Sequence, residues 1–247
     1  MKIVVTNDDG PHTPLLRPLV EALEARGHEV VVVVPERQRS AAGFARTYHK
    51  PLRIRRVGRY YVTNGFPTDS VFLALKLVAP DADLVLSGIN VGENIGFEST
   101  YGSGTVAAAI QAGVLGRRAL AASMEPDADL KGVLSVVLSF VDALEGYWRE
   151  DLLAVSLNVP SGWSGKLVSP KALARGIYLE ELHKYVDPRG EVFYWRWGPR
   201  RDDFPKETDA YAFYVERAAT AVGICGDGIC PVEDLVSLAS KLLGGRQ

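Results

Sequence analysis

Two adjacent carboxylates, Asp8 and Asp9, follow directly on a β-branched run, Ile3-Val4-Val5, near the start of a 247-residue chain. The run reads as a buried strand. Two like charges leaving such a strand raise each other's cost of ionisation unless a cation neutralises them. A divalent ion removes that penalty, and carboxylate, amide and hydroxyl oxygens are its hard ligands. The four histidines (His12, His28, His49, His183) and two cysteines (Cys225, Cys230) leave little to draw on for an imidazole–thiolate zinc site, so any metal is expected on oxygen. Taken alone, Asp8-Asp9-Gly10 favours a plain turn in which Asp9 caps the next helix. The histidine shortage and a second polar segment shift the balance towards a site.

That second segment is Ser87-Gly88-Ile89-Asn90-Val91-Gly92-Glu93-Asn94-Ile95-Gly96. Its glycines allow tight turns and close approach to a ligand, although Gly and Asn also populate ordinary turns. The chain contains only five asparagines, and Asn7, Asn90 and Asn94 all fall in these loops, leaving Asn64 and Asn158 elsewhere. A third segment, Gly102-Ser103-Gly104-Thr105, opens a small-residue helix and offers hydroxyls and backbone N–H groups suited to phosphate. An ordinary Ser/Thr cap is the competing reading. A fourth, Arg37-Gln38-Arg39-Ser40-Ala41-Ala42-Gly43, follows the second strand. Neither G-x-G-x-x-G nor the Walker A spacing occurs at the first strand–helix turn, which disfavours a dinucleotide site and a P-loop.

The elements that carry these loops alternate. A strand at Ile3–Val5 leads to a helix with Leu15, Leu16, Leu19, Val20 and Leu23 at helical spacing, then to Val30–Val34, five consecutive valines suited to a strand covered on both faces. A small hairpin around Gly58, a helix over Asp69–Val78, strands at Leu84–Ser87 and Leu120–Ser123, and helices over Thr105–Leu115 and Leu130–Leu144 follow. Leu153–Asn158 is expected to be the last strand of the core sheet. The fold class is α/β, a Rossmann-like doubly wound and mostly parallel sheet with a C-terminal hairpin or arm extension and a closing helix. Residues 1–160 form the expected catalytic core and 161–247 a hairpin-rich extension. Aromatics from Tyr178 to Tyr214 sit there among charges, either as a local apolar cluster or as an oligomer contact. Pro231–Leu243 reads as the closing helix.

Composition narrows the function classes. A net charge of −2 argues against nucleic-acid coating. No stretch approaches the ~18 apolar residues that span a bilayer, and the N-terminus lacks a secretory pattern, so a cytoplasmic protein is expected. Five Asn, three Gln, two Cys and two Met are a thermophile signature. In that setting Cys225 and Cys230 either form an intracellular disulfide or remain two small half-buried thiols.

Together the segments resemble the SurE family of metal-dependent 5′-nucleotidases, also called survival proteins or stationary-phase phosphatases. Thr6-Asn7-Asp8-Asp9-Gly10, Pro35-Glu36-Arg37-Gln38-Arg39-Ser40, Pro67-Thr68-Asp69-Ser70-Val71, the Ser87–Gly96 loop and Ser103–Ala109 match its motifs in order over about the first 125 residues. Beyond residue 160 the likeness rests on Asp187-Pro188-Arg189-Gly190 and Thr208-Asp209. The resemblance implies a divalent ion, Mg or Mn, on Asp8, Asp9, Ser40 and Asn90. It also implies a phosphate pocket lined by Asn94, Ser103, Gly104 and Thr105 with Gly43 nearby. It implies hydrolysis of nucleoside 5′-monophosphates or other phosphomonoesters by a homodimer or homotetramer with exchanged C-terminal elements. Leu15, where the family has glycine, and the extra Gly102 depart from the pattern without removing a proposed ligand. Asp8 and Asp9 are the candidate catalytic residues, with Asp8 either activating a water or attacking phosphorus itself. The alternatives are a sugar-nucleotide glycosyltransferase, suggested by Arg26–Val31 but lacking a second similar domain, and a non-catalytic nucleotide-binding module. A haloacid dehalogenase phosphatase would want Asp-x-Asp instead of adjacent carboxylates.

Overall fold

The computed structural model describes residues 1–245. In chain order the strands are β1 (Lys2–Thr6), β2 (Glu29–Pro35), β3 (Ile54–Val57), β4 (Tyr60–Thr63), β5 (Leu84–Val91), β6 (Arg118–Met124), β7 (Leu152–Val159), β8 (Leu167–Val168), β9 (Leu182–Val186), β10 (Val192–Arg196), β11 (Ala219–Cys225) and β12 (Gly228–Cys230). The helices are α1 (Leu16–Glu24), α2 (Pro67–Leu73), α3 (Gly96–Gly102), α4 (Gly104–Val114), α5 (Leu130–Gly146) and α6 (Glu233–Gly244).

Strand alternation splits the core between two faces. Ile3 and Val5 of β1 point into a cluster with Leu16, Leu19, Leu23, Phe140 and Leu144, so α1 and α5 cover that side. Val4 points the other way, into a cluster with Val71, Ala108 and Ala112 of α2 and α4. β1 pairs in parallel with both β2 and β5, and β6 and β7 extend the parallel run. The order is β12-β11-β7-β6-β5-β1-β2-β4-β3, the doubly wound α/β arrangement expected, and the described residues form one such sheet. The crossover at β1 puts the carboxyl ends of β1, β2 and β5 at the point where ligands bind in such sheets.

Three local expectations change. β7 is not the outermost core strand, because β11 pairs antiparallel beside it and β12 beyond. β11 carries buried Ala221, Val222 and Ile224, an apolar stretch that no single-sequence period distinguishes from a short buried helix. The helix expected over Asp69–Val78 is instead Pro67–Leu73 followed by a π-helical turn, Ala74–Val78. Helix α1 begins with Leu15 at its N-cap and without a side-chain cap, so Asp9 is not a helix cap. Of the segment after residue 160, β11, β12 and α6 pack on the core sheet and α5, whereas β9 and β10 form a separate two-stranded ribbon. Cys225 and Cys230 are joined by a disulfide with Cα atoms 5.9 Å apart.

Candidate active site

The polar loops after β1, β2 and β5 start where a buried strand stops, and Ser103 joins them from the junction of α3 and α4. The run Ile3–Thr6 is buried to its end, and the chain then turns at Asn7–Gly10. There the Asn7 side chain accepts from Gly10 N (2.8 Å) and donates to Gly10 O (3.0 Å). Asn7 is thus a brace that aims the two following carboxylates. The Arg39 amide donates to Asp8 O at 2.6 Å, tying the loop after β2 to the loop after β1 and bringing Ser40 alongside. Asn90 lies at the end of β5, beyond a register shift between Ser87 and Asn90.

These loops enclose a cavity of about 580 Å3 lined by Asp8, Asp9, Ser40, Asn90, Asn94 and Ser103, with Gln38, Glu93, Glu98 and Arg196 on its walls. Gly104 and Thr105 stand directly behind Asp8. The buried Thr105 hydroxyl donates to Asp8 Oδ1 at 2.7 Å, so it positions the carboxylate and does not open into the cavity. A Cβ at residue 104 would lie 3.0 Å from Asp8 Cβ and 3.1 Å from Oδ2, so glycine lets the α4 N-terminus close on Asp8. Ser103 caps α4, its Oγ accepting from Val106 N at 3.1 Å, while facing the cavity. Gly43 supports the wall from behind through its N–H to Gly102 O, 2.9 Å.

The Asn94 loop rests on partners distant in sequence. Its backbone N–H donates to Asn158 Oδ1 (2.7 Å) and its Nδ2 to Ser123 Oγ (2.8 Å). Ser123 and Asn158 are cross-strand neighbours on β6 and β7. Asn158, which composition left outside the site, therefore belongs to its foundation. Asp209 anchors the far end of the loop, accepting from Gly96 N (2.7 Å) and from Ala174 N and Ala210 N (2.8 Å each). Asp187 and Gly190 lie elsewhere, in the β9–β10 turn, where Asp187 Oδ1 accepts from Arg189 N and Glu191 N. Arg196 is a wall residue that nothing local in the sequence marks, because its place depends on the β9–β10 ribbon reaching back to Glu98, 3.0 Å away.

The electrostatics fit a cation. Burial pushes the Asp8 carboxyl up, with the Thr105 hydrogen bond opposing it. Burial and the neighbouring Asp8 charge push Asp9 up. Among the described residues neither forms an ion pair with Lys, Arg or His. Asn90 donates its Nδ2 to Gly92 O (2.6 Å), which leaves its amide oxygen for a ligand. The Ser40 hydroxyl takes Gln38 Nε2 at 3.0 Å and retains a lone pair. Two carboxylates without an ion-pair partner, one amide oxygen and one hydroxyl thus line the same cavity, all of them hard oxygen donors that could hold a divalent cation. The alternative cluster of Asp151 with Cys225 and Cys230 offers no thiolate, because its sulfurs are bonded to each other.

The whole chain, compared with known proteins, has clear relatives. The family model described as survival protein SurE matches residues 3–178. A protein of Pyrobaculum aerophilum named 5′-nucleotidase SurE 2 is 60% identical over 99% of this chain and 98% of its own length. The 5′-nucleotidase SurE of Thermococcus kodakarensis is 39% identical over 91% of this chain and 92% of its own. The crystal structure of the SurE protein from Aquifex aeolicus superposes with a TM-score of 0.78 at 30% identity, covering 91% of this chain and 93% of that one. With a family model spanning most of the chain and relatives alike along nearly its whole length, the chain belongs to the SurE family.

Proposed function

We propose that the protein is a divalent-metal-dependent phosphomonoesterase that hydrolyses nucleoside 5′-monophosphates to nucleoside and phosphate. One observation carries the reading: the Thr105–Asp8 hydrogen bond joins the acid pair to the N-terminus of the helix that Ser103 caps, beside a single cavity. A carboxylate pair and a helix N-terminus have opposite preferences, one for a cation and the other for an anion. A phosphomonoester neutralised by a divalent ion satisfies both. The names of the relatives, 5′-nucleotidase, agree with this reading.

Asp8, Asp9, Ser40 and Asn90 are the residues assigned to the ion, which when bound supplies charge neutralisation and water activation. Ser103 and the first backbone N–H groups of α4 hold phosphoryl oxygens, with Asn94 opposite them. Asp8, held by Thr105 at Oδ1, orients the attacking water or receives its proton, or else attacks phosphorus through Oδ2. A phosphoenzyme trapped during turnover would appear only on the second route, since water attacking phosphorus labels the product phosphate on either one.

The ribbon β9–β10 supports the proposed homo-oligomer. Leu182, Val186, Val192 and Trp195 are 48–70% exposed on a two-stranded element that pairs with no other strand, and such ribbons are marginal in water when alone. Catalysis is assigned to residues 1–160, and assembly through an exchanged or abutting arm to 161–247. Among the described residues no helix is long and apolar enough to cross a membrane.

The test is a phosphatase assay on nucleoside monophosphates with Mg, with Mn and with chelator, comparing wild type with Asp8→Asn. Metal-dependent release of phosphate that Asp8→Asn abolishes is expected. Full activity of that variant would remove the site assignment, and inactivity of the wild type with every ion would favour a binding module.

A further inference from the structure

We propose that the recess between Tyr178 and Trp197 is the subsite for the nucleobase, an inference that rests on the phosphomonoesterase reading above. The recess has a volume of about 400 Å3 and lies at the root of the β9–β10 ribbon. It is built by backbone pairing: Trp197 N donates to Glu181 O (3.0 Å) and Leu179 N to Pro199 O (2.9 Å). Gly198 makes this closeness possible, because a Cβ there would lie 1.7 Å from Leu179 O. No side chain can enter at that point, so the two chain segments remain pressed together while the rings face outward.

Arg196 forms a wall of both this recess and the reaction cavity. Its guanidinium is fixed between Glu98, 3.0 Å away, and Glu180. A substrate whose phosphate sits at Ser103 and Asp8 therefore finds two aromatic surfaces beyond Arg196. Trp197 is 66% exposed and Tyr178 49%. Among the described residues no ring stacks on Tyr178, and Trp197 meets only the tilted ring of His183 at 5.7 Å. Uncovered faces of this size gain from a planar partner, and every base has a π-face that stacks on such a platform. A further cavity that Ser40 also lines lacks this feature, since its one ring, Phe66, already carries the Arg39 guanidinium 5.1 Å from its centroid.

The experiment compares steady-state kinetics on AMP and on glycerol 2-phosphate, a phosphomonoester without a base, for the full-length protein, Trp197→Ala and Trp197→Phe. The ratio of kcat/KM for AMP to that for glycerol 2-phosphate is expected to fall about five- to a hundredfold in Trp197→Ala, mainly through KM, and to recover in Trp197→Phe. Should Trp197→Ala not fold, Tyr178→Leu reads the same ratio. An unchanged ratio in a folded variant, or equal losses on both substrates, overturns the subsite while leaving the phosphatase reading intact. A wild-type protein inactive on both substrates overturns that reading and this one with it.

Discussion

The backbone N–H of Asn94 donates to the side-chain oxygen of Asn158, 2.7 Å away across 64 residues of sequence. Asn158 is 2% exposed at the end of β7, so no water substitutes easily for its carbonyl. Asn158→Leu strands the Asn94 N–H, at a cost of about 1–3 kcal/mol. A fall in the unfolding midpoint together with a lower kcat is expected, while Asn158→Asp keeps the acceptor and retains more activity. Thermal unfolding and kinetics on the two variants check this; equal behaviour of Leu and Asp would show that the acceptor is not what matters.

Thr105→Val removes the hydroxyl that holds Asp8 while leaving the volume nearly constant. Losing a partner of a metal-binding carboxylate typically costs about 10–100-fold in metal affinity or activity. A rise of that order in the Mg or Mn concentration needed for half-maximal activity is the expected outcome, read from metal titrations of activity. Retention of wild-type metal dependence would mean that Asp8 needs no orientation from α4.

Stability at acid pH depends on Glu125. Burial opposes ionisation of its carboxyl, but hydrogen bonds from Ser161 and the Arg217 guanidinium (2.7 Å) outweigh this and hold it below its ordinary value of 4.5. A carboxyl with a lowered folded value contributes stability that is fully present above its unfolded pKa and is lost as pH falls through the folded one. Glu125→Gln should therefore be less stable than wild type at pH 7, by about 1–3 kcal/mol. The difference should shrink steadily as the pH is taken below 4.5. Denaturant midpoints across pH 3 to 7 measure it, and a difference independent of pH would remove the ionic contribution.

The Cys225–Cys230 disulfide closes a loop at the β11–β12 turn, with a sequence separation of 5. Loop-closure entropy for so short a ring is worth roughly 2 kcal/mol, which for a chain of this size corresponds to about 4–8 °C in Tm. The double Cys225→Ser, Cys230→Ser variant should unfold lower by that amount, and reductant should lower the Tm of the wild type but not that of the variant.

Local chemistry was legible in the residue order. Alternation of valine-rich strands with amphipathic helices set the doubly wound sheet, because burial on both faces demands continuous β-branched runs. Asp8 and Asp9 stand out because they follow a buried strand, and Ser103 because it opens a helix, whereas Ser40 and Asn90 are marked as ligands by the motifs that resemble the SurE family. The sequence by itself thus determined the sheet type, the acid pair and the loops that face it. Only the tertiary structure decided that Thr105 serves Asp8, that Asn158 and Asp209 carry the Asn94 loop, that β11 completes the sheet antiparallel, and that Arg196 walls the cavity. Each of those assignments depends on a hydrogen bond or strand pairing between residues tens of positions apart. Side-chain periodicity carries no information about such partners, which are chosen when the sheet brings distant chain ends within about 3 Å of one another.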